Sequence, residues 1–372
     1  MHTFRTPREI ITGAGTLAAL GSKARPLGSH ALLVTGRRAM HATGILQRAL
    51  QSLHAAQLAA TVFSDVQPEP TVHNVDAGRS LCRSNACDLV IGLGGGSAID
   101  AAKVIAALAP HDGSTADFLA GTLPIQRPAL PCIAIPTTAG TGAEATPNAV
   151  LTDPAHTLKQ SLRSDSMLPA IAILDPELTL SCPPHITAQS GMDALAQALE
   201  SFLSIHATHL TDALALHAAR LLLRSLQRAV HHGQSIAARE DCAYASLMAG
   251  IALCNARLGA VHGLAHPLGV RYGIPHGLCC AVLLPHVLRM NRPFAPEKFA
   301  ILDSLAGRPI EEEVEALLPA IGLPANLRSF PLRPADFPAI AAESMPSGST
   351  KANPKPMTPE DFIRLLKHLS SS

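Results

Sequence analysis

The stretch DLVIGLGGGSAIDAAKVIAAL, residues 88–108, decides the fold of this chain. Its apolar opening predicts a buried strand, and the segment that begins at Ser97 predicts a helix. Between them, Gly94, Gly95 and Gly96 allow the backbone to approach a ligand closely, and the free N–H groups at the start of the helix favour an anion. A strand, a glycine turn and a helix in this order predict a phosphate or pyrophosphate site; the alternative is a purely structural turn.

Strand-like and helix-like segments alternate on both sides of this stretch. Four further apolar runs predict strands: ALLVT at 31–35, AATVF at 59–63, CIAIP at 132–136 and AIAIL at 170–174. Helical patterns separate several of these runs. Such an alternation predicts βαβ units and a largely parallel sheet.

The character of the chain changes after Pro183-Pro184. From about residue 185 to about residue 325 the pattern is Ala/Leu-rich and helical, and β-branched strand runs are almost absent. We therefore expect an α/β dinucleotide-binding domain at 1–180 and an all-helical metal and substrate domain at 181–372. Residues 331–359 are rich in Pro and Ser, which predicts an irregular surface segment before a last helix, PEDFIRLLKHL.

The composition argues against two classes of partner. The 372-residue chain has a formal net charge of +1, only 3% aromatic residues and no Trp. Nucleic-acid binding requires a cationic face with stacking aromatics, so we expect no nucleic-acid partner. The N-terminus has no apolar signal region, and no apolar run approaches the length of a membrane span, so we expect no membrane association.

The cysteines predict a reducing environment. The eight of them are scattered along the chain, and no CxxC pair occurs. In a chain of this size without an export signal, we expect reduced, mostly buried thiols and a cytoplasmic location. Cys279 and Cys280 lie in the apolar segment CCAVLLPHVL, which predicts packing rather than nucleophilic catalysis.

Two other glycine turns follow strand-like runs. PTTAGTG at 136–142 presents three hydroxyls on a loop of small residues, and taken alone it is explained equally well by a capped turn. Beside the triple glycine it is expected to form the second wall of a dinucleotide site, because open α/β sheets bind ligands at the carboxyl ends of their strands. Residues 13–18 fit GxGxxA, but this match alone is weak and predicts a tight turn at a helix start.

A separate group of residues suits a metal ion. Asp193 and Gln197 lie four residues apart in the helical segment 191–200, so their side chains project from one face. His262 and His276 lie in VHGLAHPLGVRYGIPHG. One carboxylate and two imidazoles suit a divalent cation, and position 197 offers an amide where a third imidazole would make the set unambiguous.

Taken in order along the chain, these motifs resemble the iron-containing (group III) alcohol dehydrogenase family. The matching segments are the triple glycine with Ser97, PTTAGTGAEATPNAVLTD at 136–153, LPAIAILDPELT at 168–179, GMDALAQALE at 191–200 and HGLAHPLGVRYGIPHG at 262–277. The resemblance implies the dehydroquinate synthase-like fold: a dinucleotide-binding domain, a helical domain, and a metal with the active site between them. It also implies NAD(P)-dependent interconversion of a small alcohol and its aldehyde or ketone, in a homodimer.

Carried over position by position, the resemblance implies metal ligands at Asp193, Gln197, His262 and His276, with Gln197 standing where the family has His. His266 matches a family His near the substrate end of the nicotinamide, which implies a proton relay. The implied dinucleotide contacts are Gly36, Gly94, Gly95, Gly96, Ser97, Asp100, Thr137, Thr138, Thr141 and Lys159.

The substituted ligand leaves three interpretations open. The first is a functional site for Fe2+ or Zn2+, with an amide oxygen or water in fourth position and an affinity lower by roughly 10–100-fold or more. The second is a metal-independent reductase in which His262 or His266 polarises the carbonyl, or one of the maleylacetate reductase type, for which Arg257 and Arg271 would be the cationic groups. The third is a nucleotide-binding protein without catalysis. A cyclising lyase resembling dehydroquinate synthase requires more basic and metal-binding residues than the chain offers.

The end of the first nucleotide-binding strand favours NADP(H). Many NAD-preferring members of the family place Asp just after this strand, whereas here Gly36, Arg37 and Arg38 follow Thr35. Without that carboxylate a 2′-phosphate meets no repulsion, and Arg pairs with phosphate in a bidentate manner. Two solvated arginines are the alternative, and NAD(H) is not excluded.

Overall fold

Strands and helices alternate through the first half of the structure, and helices make up the second half. The computed structural model describes residues 3–155 and 158–370. The strands are β1 (Glu9–Thr12), β2 (His30–Gly36), β3 (Ala59–Val66), β4 (Leu89–Gly94), β5 (Cys132–Pro136), β6 (Asn148–Asp153), β7 (Leu158–Arg163) and β8 (Ile171–Leu174). The α-helices are α1 (Leu20–Ala24), α2 (Ala39–Ala42), α3 (Ile45–Ala55), α4 (Val72–Ser84), α5 (Gly96–Leu108), α6 (Thr115–Leu119), α7 (Pro184–Leu203), α8 (His209–His231), α9 (Ile236–Ala256), α10 (Ala260–Tyr272), α11 (His276–Asn291), α12 (Pro296–Ala306), α13 (Ile310–Ala320), α14 (Phe337–Ser344), α15 (Gly348–Ala352) and α16 (Pro359–Ser370).

Six of the described strands form one parallel sheet in the order β1-β8-β5-β4-β2-β3. Val34 lies opposite Gly92 and Gly94 lies opposite Pro136, so β2, β4 and β5 end side by side. Strands β4, β5 and β8 are buried along their whole length, as continuous apolar runs in a parallel sheet require. The strands β6 and β7 pair separately as an antiparallel ribbon.

The chain reverses its direction across this sheet between β2 and β4. Strand β3 lies on one side of β2, whereas β4 lies on the other side and β5 beyond it. At such a switch point the loops that follow the two central strands diverge and leave a crevice for a ligand. Gly36 ends β2 and Gly94 ends β4, so the glycine turn of the sequence lies at this crevice.

Two compact units divide the described chain. One contains Thr6–Thr138 and Gly142–Ser181 and includes every described strand. The other contains Ala139–Thr141 and the described parts of Met1–Arg5 and Cys182–Ser372. The division into functional domains at residue 180 remains a prediction.

The helical unit packs its longest helices around an Ala- and Leu-rich core. Helices α7 to α11 contribute most of the buried apolar residues of this core. Helices α14 and α15 lie within 331–359, so the expectation of an irregular segment there is wrong. The reason is that Phe337, Ile340 and Ala341 give α14 a buried apolar face despite the Pro and Ser around it. The predicted fold class, a parallel α/β part followed by an all-helical part, is confirmed.

Two further expectations concern the whole of the described chain. Across residues 3–155 and 158–370, no single helix is long and apolar enough to cross a membrane, although α9 and α10 pass that test together as a pair bent by 103°. No disulfide joins the cysteines of these residues, and most of the thiols are buried, as the sequence predicts.

A fully buried lysine, Lys103, anchors the helix that follows the glycine turn. Its Nζ donates to backbone carbonyl oxygens of the segment 143–148 and lies 3.0 Å from a carboxylate oxygen of Asp100. Asp100 also accepts from the backbone N–H of Val150 at 2.9 Å. Because the ammonium group is satisfied on all sides, its burial holds α5 against the start of β6.

We expect the substitution Lys103→Met to destabilise the protein by about 3–5 kcal/mol, because it leaves several carbonyl oxygens and the Asp100 carboxylate without their cation. The measurement is the shift of the urea unfolding curve. The matched control is Lys23→Met, which breaks a half-exposed ion pair with Glu9 and should cost about 1 kcal/mol or less. Equal shifts for the two variants would contradict the anchoring role of Lys103.

Candidate active site

Helix α7 aligns three buried polar side chains on one face. Asp193, Gln197 and Glu200 follow one another at positions i, i+4 and i+7, which brings them above one another on a helix. All three are almost completely buried. Polar groups buried on an otherwise apolar helix require partners, and helices α10 and α11 supply them.

His262 of α10 is held from one side by Glu200. The Nδ1 atom of the ring lies 2.5 Å from Oε2 of Glu200, whose Oε1 accepts from the N–H of Val261 at 2.7 Å. Because a carboxylate accepts, the ring donates through Nδ1 and presents Nε2 to Asp193, 3.1 Å from its Oδ1. A carboxylate that orients a histidine in this way is a frequent companion of metal-ligating imidazoles.

Helix α11 brings His276 and Cys280 to the same place. The two residues lie one turn apart, and Sγ of Cys280 is 3.6 Å from Nε2 of His276 and 3.8 Å from Nε2 of His262. The Nε2 atom of His276 is 3.6 Å from Oδ1 of Asp193. One donor atom from each of Asp193, His262, His276 and Cys280 lies within 4.8 Å of all the others. We call these four residues the donor cluster.

The donor cluster stabilises charge on each of its members. Burial raises the pKa of Asp193, but His276 and His262 lower it by more, so the pKa lies below its usual value. Burial lowers the pKa of His262, but Cys280 and Glu200 bring it well above its usual value. The pKa of His276 is raised against the effect of burial by Cys280 and Asp193. Anionic donors therefore face positive charge in a buried pocket, and a divalent cation supplies positive charge of the same kind.

The pKa of Cys280 is shifted in the opposite direction to that of the buried Cys82, Cys87, Cys132 and Cys242. Burial raises the pKa of Cys132 to about 12. Burial also opposes the ionisation of Cys280, yet His262 and His276 lower the pKa of this thiol below its usual value. Cys279 and Cys280 both lie in the buried helical core, and the sulfur of Cys280 also contacts two ring nitrogens, which the sequence did not predict.

Gln197 brings an amide to the edge of the donor cluster. Its hydrogen bond to Asp193 contributes to the low pKa of that carboxyl group. Its Oε1 is buried and has no hydrogen-bond partner within the described part of the chain. A buried acceptor without a donor is destabilising, and a cation or a bound water satisfies it. A carboxylate, two imidazoles, a thiol and an orphaned amide oxygen therefore fit a divalent cation.

His266 lies one turn after His262 on α10 and stacks on His276. The ring centroids of His266 and His276 are 5.1 Å apart, with 26° between the ring planes. The side chain of His266 is partly exposed, whereas His262 is buried. His266 is thus an imidazole beside the donor cluster, between that cluster and solvent.

In the sheet-containing unit, the glycine turn leads directly from β4 into α5. Gly94 has a φ of +152°, and a Cβ there would lie 2.9 Å from Cβ of Ala98, so only glycine fits. Gly95 precedes α5, and Gly96 and Ser97 begin it. The helix starts without a side-chain cap, which leaves its first backbone N–H groups for an anion.

The loop after β5 packs directly on this turn. The N–H of Thr137 donates to the carbonyl oxygen of Gly94 at 2.9 Å. The Oγ1 atom of Thr138 lies 3.4 Å from the position that a Cβ of Gly95 would occupy. These residues follow β4 and β5 at the edge of the sheet where Gly36 ends the neighbouring strand β2.

A residue with left-handed backbone, Glu69, links Ser97 to Lys159. Glu69 has a φ of +59°, and its N–H donates to Oγ of Ser97 at 3.3 Å. Its carboxylate accepts from Nζ of Lys159, whose side chain is 8% exposed. Non-glycine residues in this backbone region are uncommon and concentrate at functional sites.

Asp100 and Thr141 are the remaining expected dinucleotide contacts. The carboxylate of Asp100 is engaged by Lys103 and by the N–H of Val150. Thr141 belongs to the short segment Ala139–Thr141, which is grouped with the helical unit.

Three residues of these sites were missed by the sequence analysis. The signal for Glu200 was its spacing of seven residues from Asp193, and the signal for Cys280 was its spacing of four residues from His276. The apolar neighbours of Cys280 concealed that signal. Glu69 carries no local signal, because its role follows from the approach of β3 and α5.

Known proteins resemble this chain over its whole length. The chain matches the family description "Iron-containing alcohol dehydrogenase" over residues 7–176 and the description "Fe-containing alcohol dehydrogenase family, C-terminal" over residues 187–370. It is 37% identical to a 1,3-propanediol dehydrogenase of Klebsiella pneumoniae, with 99% of the chain and 98% of the relative covered. It is 32% identical to an NAD-dependent methanol dehydrogenase of Bacillus methanolicus, with 99% and 100% covered. The solved structure of a 1,3-propanediol oxidoreductase is similar with a TM-score of 0.95 at 35% identity, covering 99% of this chain and 100% of that one.

We expect Glu200→Gln to weaken Zn2+ binding by about 10–100-fold, because an amide nitrogen cannot accept from Nδ1 of His262 and the ring loses its orientation. The measurement is competition with a chromophoric chelator. The remaining amide oxygen still accepts from Val261, so the fold should persist, which circular dichroism checks. The control is Glu343→Gln, in an ion pair with Arg271. If both variants bind Zn2+ like the unaltered protein, Glu200 does not orient a ligand.

Proposed function

The chain belongs to the iron-containing alcohol dehydrogenase family, and we propose that it is an NAD(P)(H)-dependent oxidoreductase that interconverts a small alcohol and its aldehyde or ketone. In the oxidative direction the alcohol carbon gives a hydride to the nicotinamide and the hydroxyl group releases a proton. The donor cluster is the observation that carries this proposal. A protein that only binds nucleotide has no need of four buried donors around one point.

The dinucleotide would bind at the crevice of the parallel sheet. The backbone donors of Gly95, Gly96 and Ser97 would hold the pyrophosphate at the start of α5. The hydroxyls of Thr137 and Thr138, with Gly36 and Lys159, would line the same crevice, and Asp100 and Thr141 complete the proposed contacts. In this proposal residues 1–180 form the nucleotide domain and residues 181–372 form the metal and substrate domain.

A divalent cation would be held by Asp193, His262 and His276, with Gln197 beside them. When bound, such a cation supplies a Lewis acid that polarises the substrate oxygen. Glu200 keeps Nε2 of His262 directed at Asp193, and the amide of Gln197 hydrogen-bonds the same carboxylate. This chain therefore departs from the ligand set of its family at one position, where Gln replaces His.

His266 would move the proton between the substrate oxygen and solvent. Its ring stacks on His276 and is partly exposed, so it contacts both the buried site and the outside. An imidazole exchanges protons readily near neutral pH, which suits a relay that must work in both directions of the reaction.

Arg38 would favour NADP(H) at the end of β2. Arg37 beside it already forms an ion pair, with Nε 2.6 Å from Oδ1 of Asp65. The side chains of Arg37 and Asp65 are both more than half exposed. An exposed ion pair contributes little free energy, so a 2′-phosphate can compete with Asp65 for the guanidinium groups.

The substrate is proposed to be small and without two carboxylates. The maleylacetate reductase type of activity requires cations that recognise a dicarboxylate. Of the two arginines near the histidine motif, Arg271 is engaged in an ion pair with Glu343. The relatives of the chain are named for alcohol substrates, which agrees with a small alcohol or carbonyl compound.

We expect the purified protein to oxidise NADPH or NADH in the presence of short-chain aldehydes. His266→Gln should lower kcat by about 100-fold or more at unchanged metal content, because the proton relay is lost. Imidazole added to the buffer should restore part of the rate. His286→Gln, on the same group of helices, is the control. Inactivity of the unaltered protein toward aldehydes and alcohols would contradict the proposed function; an unchanged kcat in His266→Gln contradicts the relay alone.

We expect Arg38→Ala to raise KM for NADPH by about 10-fold and to leave KM for NADH nearly unchanged, because one charge-assisted contact to the 2′-phosphate is lost. Steady-state kinetics with both nucleotides measures this. Asp65→Asn should lower KM for NADPH, because it releases Arg37 from its ion pair. Arg25 is exposed, and Arg25→Ala is the control that should change neither KM. Equal effects of Arg38→Ala on both nucleotides would remove the basis for an NADP(H) preference.

The homodimer and the cytoplasmic location also remain proposals from the sequence. Size-exclusion chromatography with light scattering tests the first of them.

A further inference from the structure

We propose that Cys280 is the fourth protein ligand of the cation at Asp193, His262 and His276, bound as a thiolate, and that the site takes Zn2+ in preference to Fe2+. This inference rests on the metal site of the proposed function and changes its composition. The donor that is lost at Gln197 on α7 is replaced by a donor of different chemistry on α11.

Four of the distances between donor atoms are close to those around a tetrahedral ion. With bonds of about 2.0–2.3 Å, donors around zinc lie about 3.3 Å apart for an N–O pair and about 3.5 Å apart for an N–S pair. In this structure Nε2 of His262 and of His276 lie 3.1 and 3.6 Å from Oδ1 of Asp193. They lie 3.8 and 3.6 Å from Sγ of Cys280. The sulfur is therefore already at the distance from both imidazoles that coordination of one ion requires.

Gln197 is the competing candidate for the fourth position. Its amide hydrogen-bonds the carboxylate of Asp193, so it acts on a ligand. An amide oxygen is also a weaker donor to a transition metal than a thiolate. The orphaned Oε1 of Gln197 lies next to the cluster, where a substrate hydroxyl or a water can donate to it.

The helix geometry gives Cys280 a position equivalent to that of Gln197. Cys280 lies one turn after His276 on α11, as Gln197 lies one turn after Asp193 on α7. Each helix therefore presents two side chains to the cluster, and His262 on α10 closes it. A set of one carboxylate, two imidazoles and one thiolate restores four protein ligands and leaves substrate oxygen to enter as a fifth donor.

The thiolate changes the choice of metal. Thiolate donors select zinc over hard cations, and Zn2+ binds more tightly than Fe2+ to most mixed donor sets. A site with Cys280 should therefore discriminate more strongly against Fe2+ than the same site with Ser at this position.

The first test uses the full-length protein, stripped of metal with a chelator and reloaded with Co2+. We expect an intense near-ultraviolet absorption from thiolate-to-cobalt charge transfer in the unaltered protein. Cys280→Ser should lose this band and bind Co2+ and Zn2+ at least about 10-fold more weakly. Cys279→Ser makes the same change at the adjacent buried thiol and should keep both the absorption band and the metal affinity. Gln197→Ala should also keep the absorption band.

A second test needs no variant, in case Cys280→Ser fails to fold. X-ray absorption of the zinc-loaded protein should show one sulfur at about 2.3 Å among nitrogen and oxygen neighbours. A shell of nitrogen and oxygen alone would overturn the proposal.

The outcomes separate this inference from the proposed function. One Co2+ per chain without the charge-transfer band, or a band that survives in Cys280→Ser, contradicts the thiolate ligand and leaves the dehydrogenase proposal intact. Failure to bind any divalent metal contradicts the metal site itself.

The choice of metal is tested by anaerobic competition between Zn2+ and Fe2+ for the same protein. Cys280→Ser should bind a lower ratio of Zn2+ to Fe2+ than Cys279→Ser. An unchanged ratio would refute the effect on metal choice.

Discussion

The hydrogen bond between Nδ1 of His262 and Oε2 of Glu200 sets the orientation on which the rest of the site depends. It directs the second ring nitrogen at Asp193 and Cys280. Glu200 is itself held in place, because its Oε1 accepts from a backbone N–H of α10. A Cβ at Gly259 would lie 2.7 Å from that oxygen, so the close approach of α10 to α7 depends on this glycine. Helix α7 thus supplies one donor of the cluster, Asp193, and also orients the donor of its neighbour, His262. Both follow from the spacing of seven residues between Asp193 and Glu200.

The glycine turn after β4 depends on buried charge in a comparable way. Lys103 is fully buried, and the backbone carbonyls around its ammonium group fix the start of β6 relative to α5. The glycine turn precedes α5 directly, so the position of its backbone donors follows from this anchor. Glu69 completes the frame, because it contacts Ser97 through its N–H and Lys159 through its carboxylate. The donor cluster and the glycine turn therefore both lie on segments that are held by satisfied buried charges.

The sequence predicted what periodicity and motif order encode, and it missed what depends on the approach of distant segments. The parallel sheet, the helical second half and the triple glycine at a strand end all follow from local pattern. Asp193, His262 and His276 were recognised from their motifs, and the structure brings them together. Cys280 was assigned to packing because its neighbours are apolar. Its spacing of four residues from His276 was a local signal, but only the approach of α10 to α11 brings the second imidazole to its sulfur. The helix α14 was missed because the Pro and Ser residues around it outweighed its three buried apolar residues in the pattern.

Cys280 requires the backbone of α11 to pass close to α7, and Gly277 makes this close approach possible. A thiol is short, since Sγ lies only one bond beyond Cβ, so α11 must lie close to the cluster at Cys280 for the sulfur to reach both imidazoles. Gly277 allows this approach, because a Cβ there would lie 2.3 Å from the carbonyl oxygen of Gln189 on α7. The backbones of α7 and α11 therefore meet next to His276, one turn before Cys280. From this helix the sulfur of Cys280 lies 3.8 Å from Nε2 of His262 and 3.6 Å from Nε2 of His276. The packing of α7 against α11 thus brings the sulfur within 4.8 Å of the donor atoms of Asp193, His262 and His276.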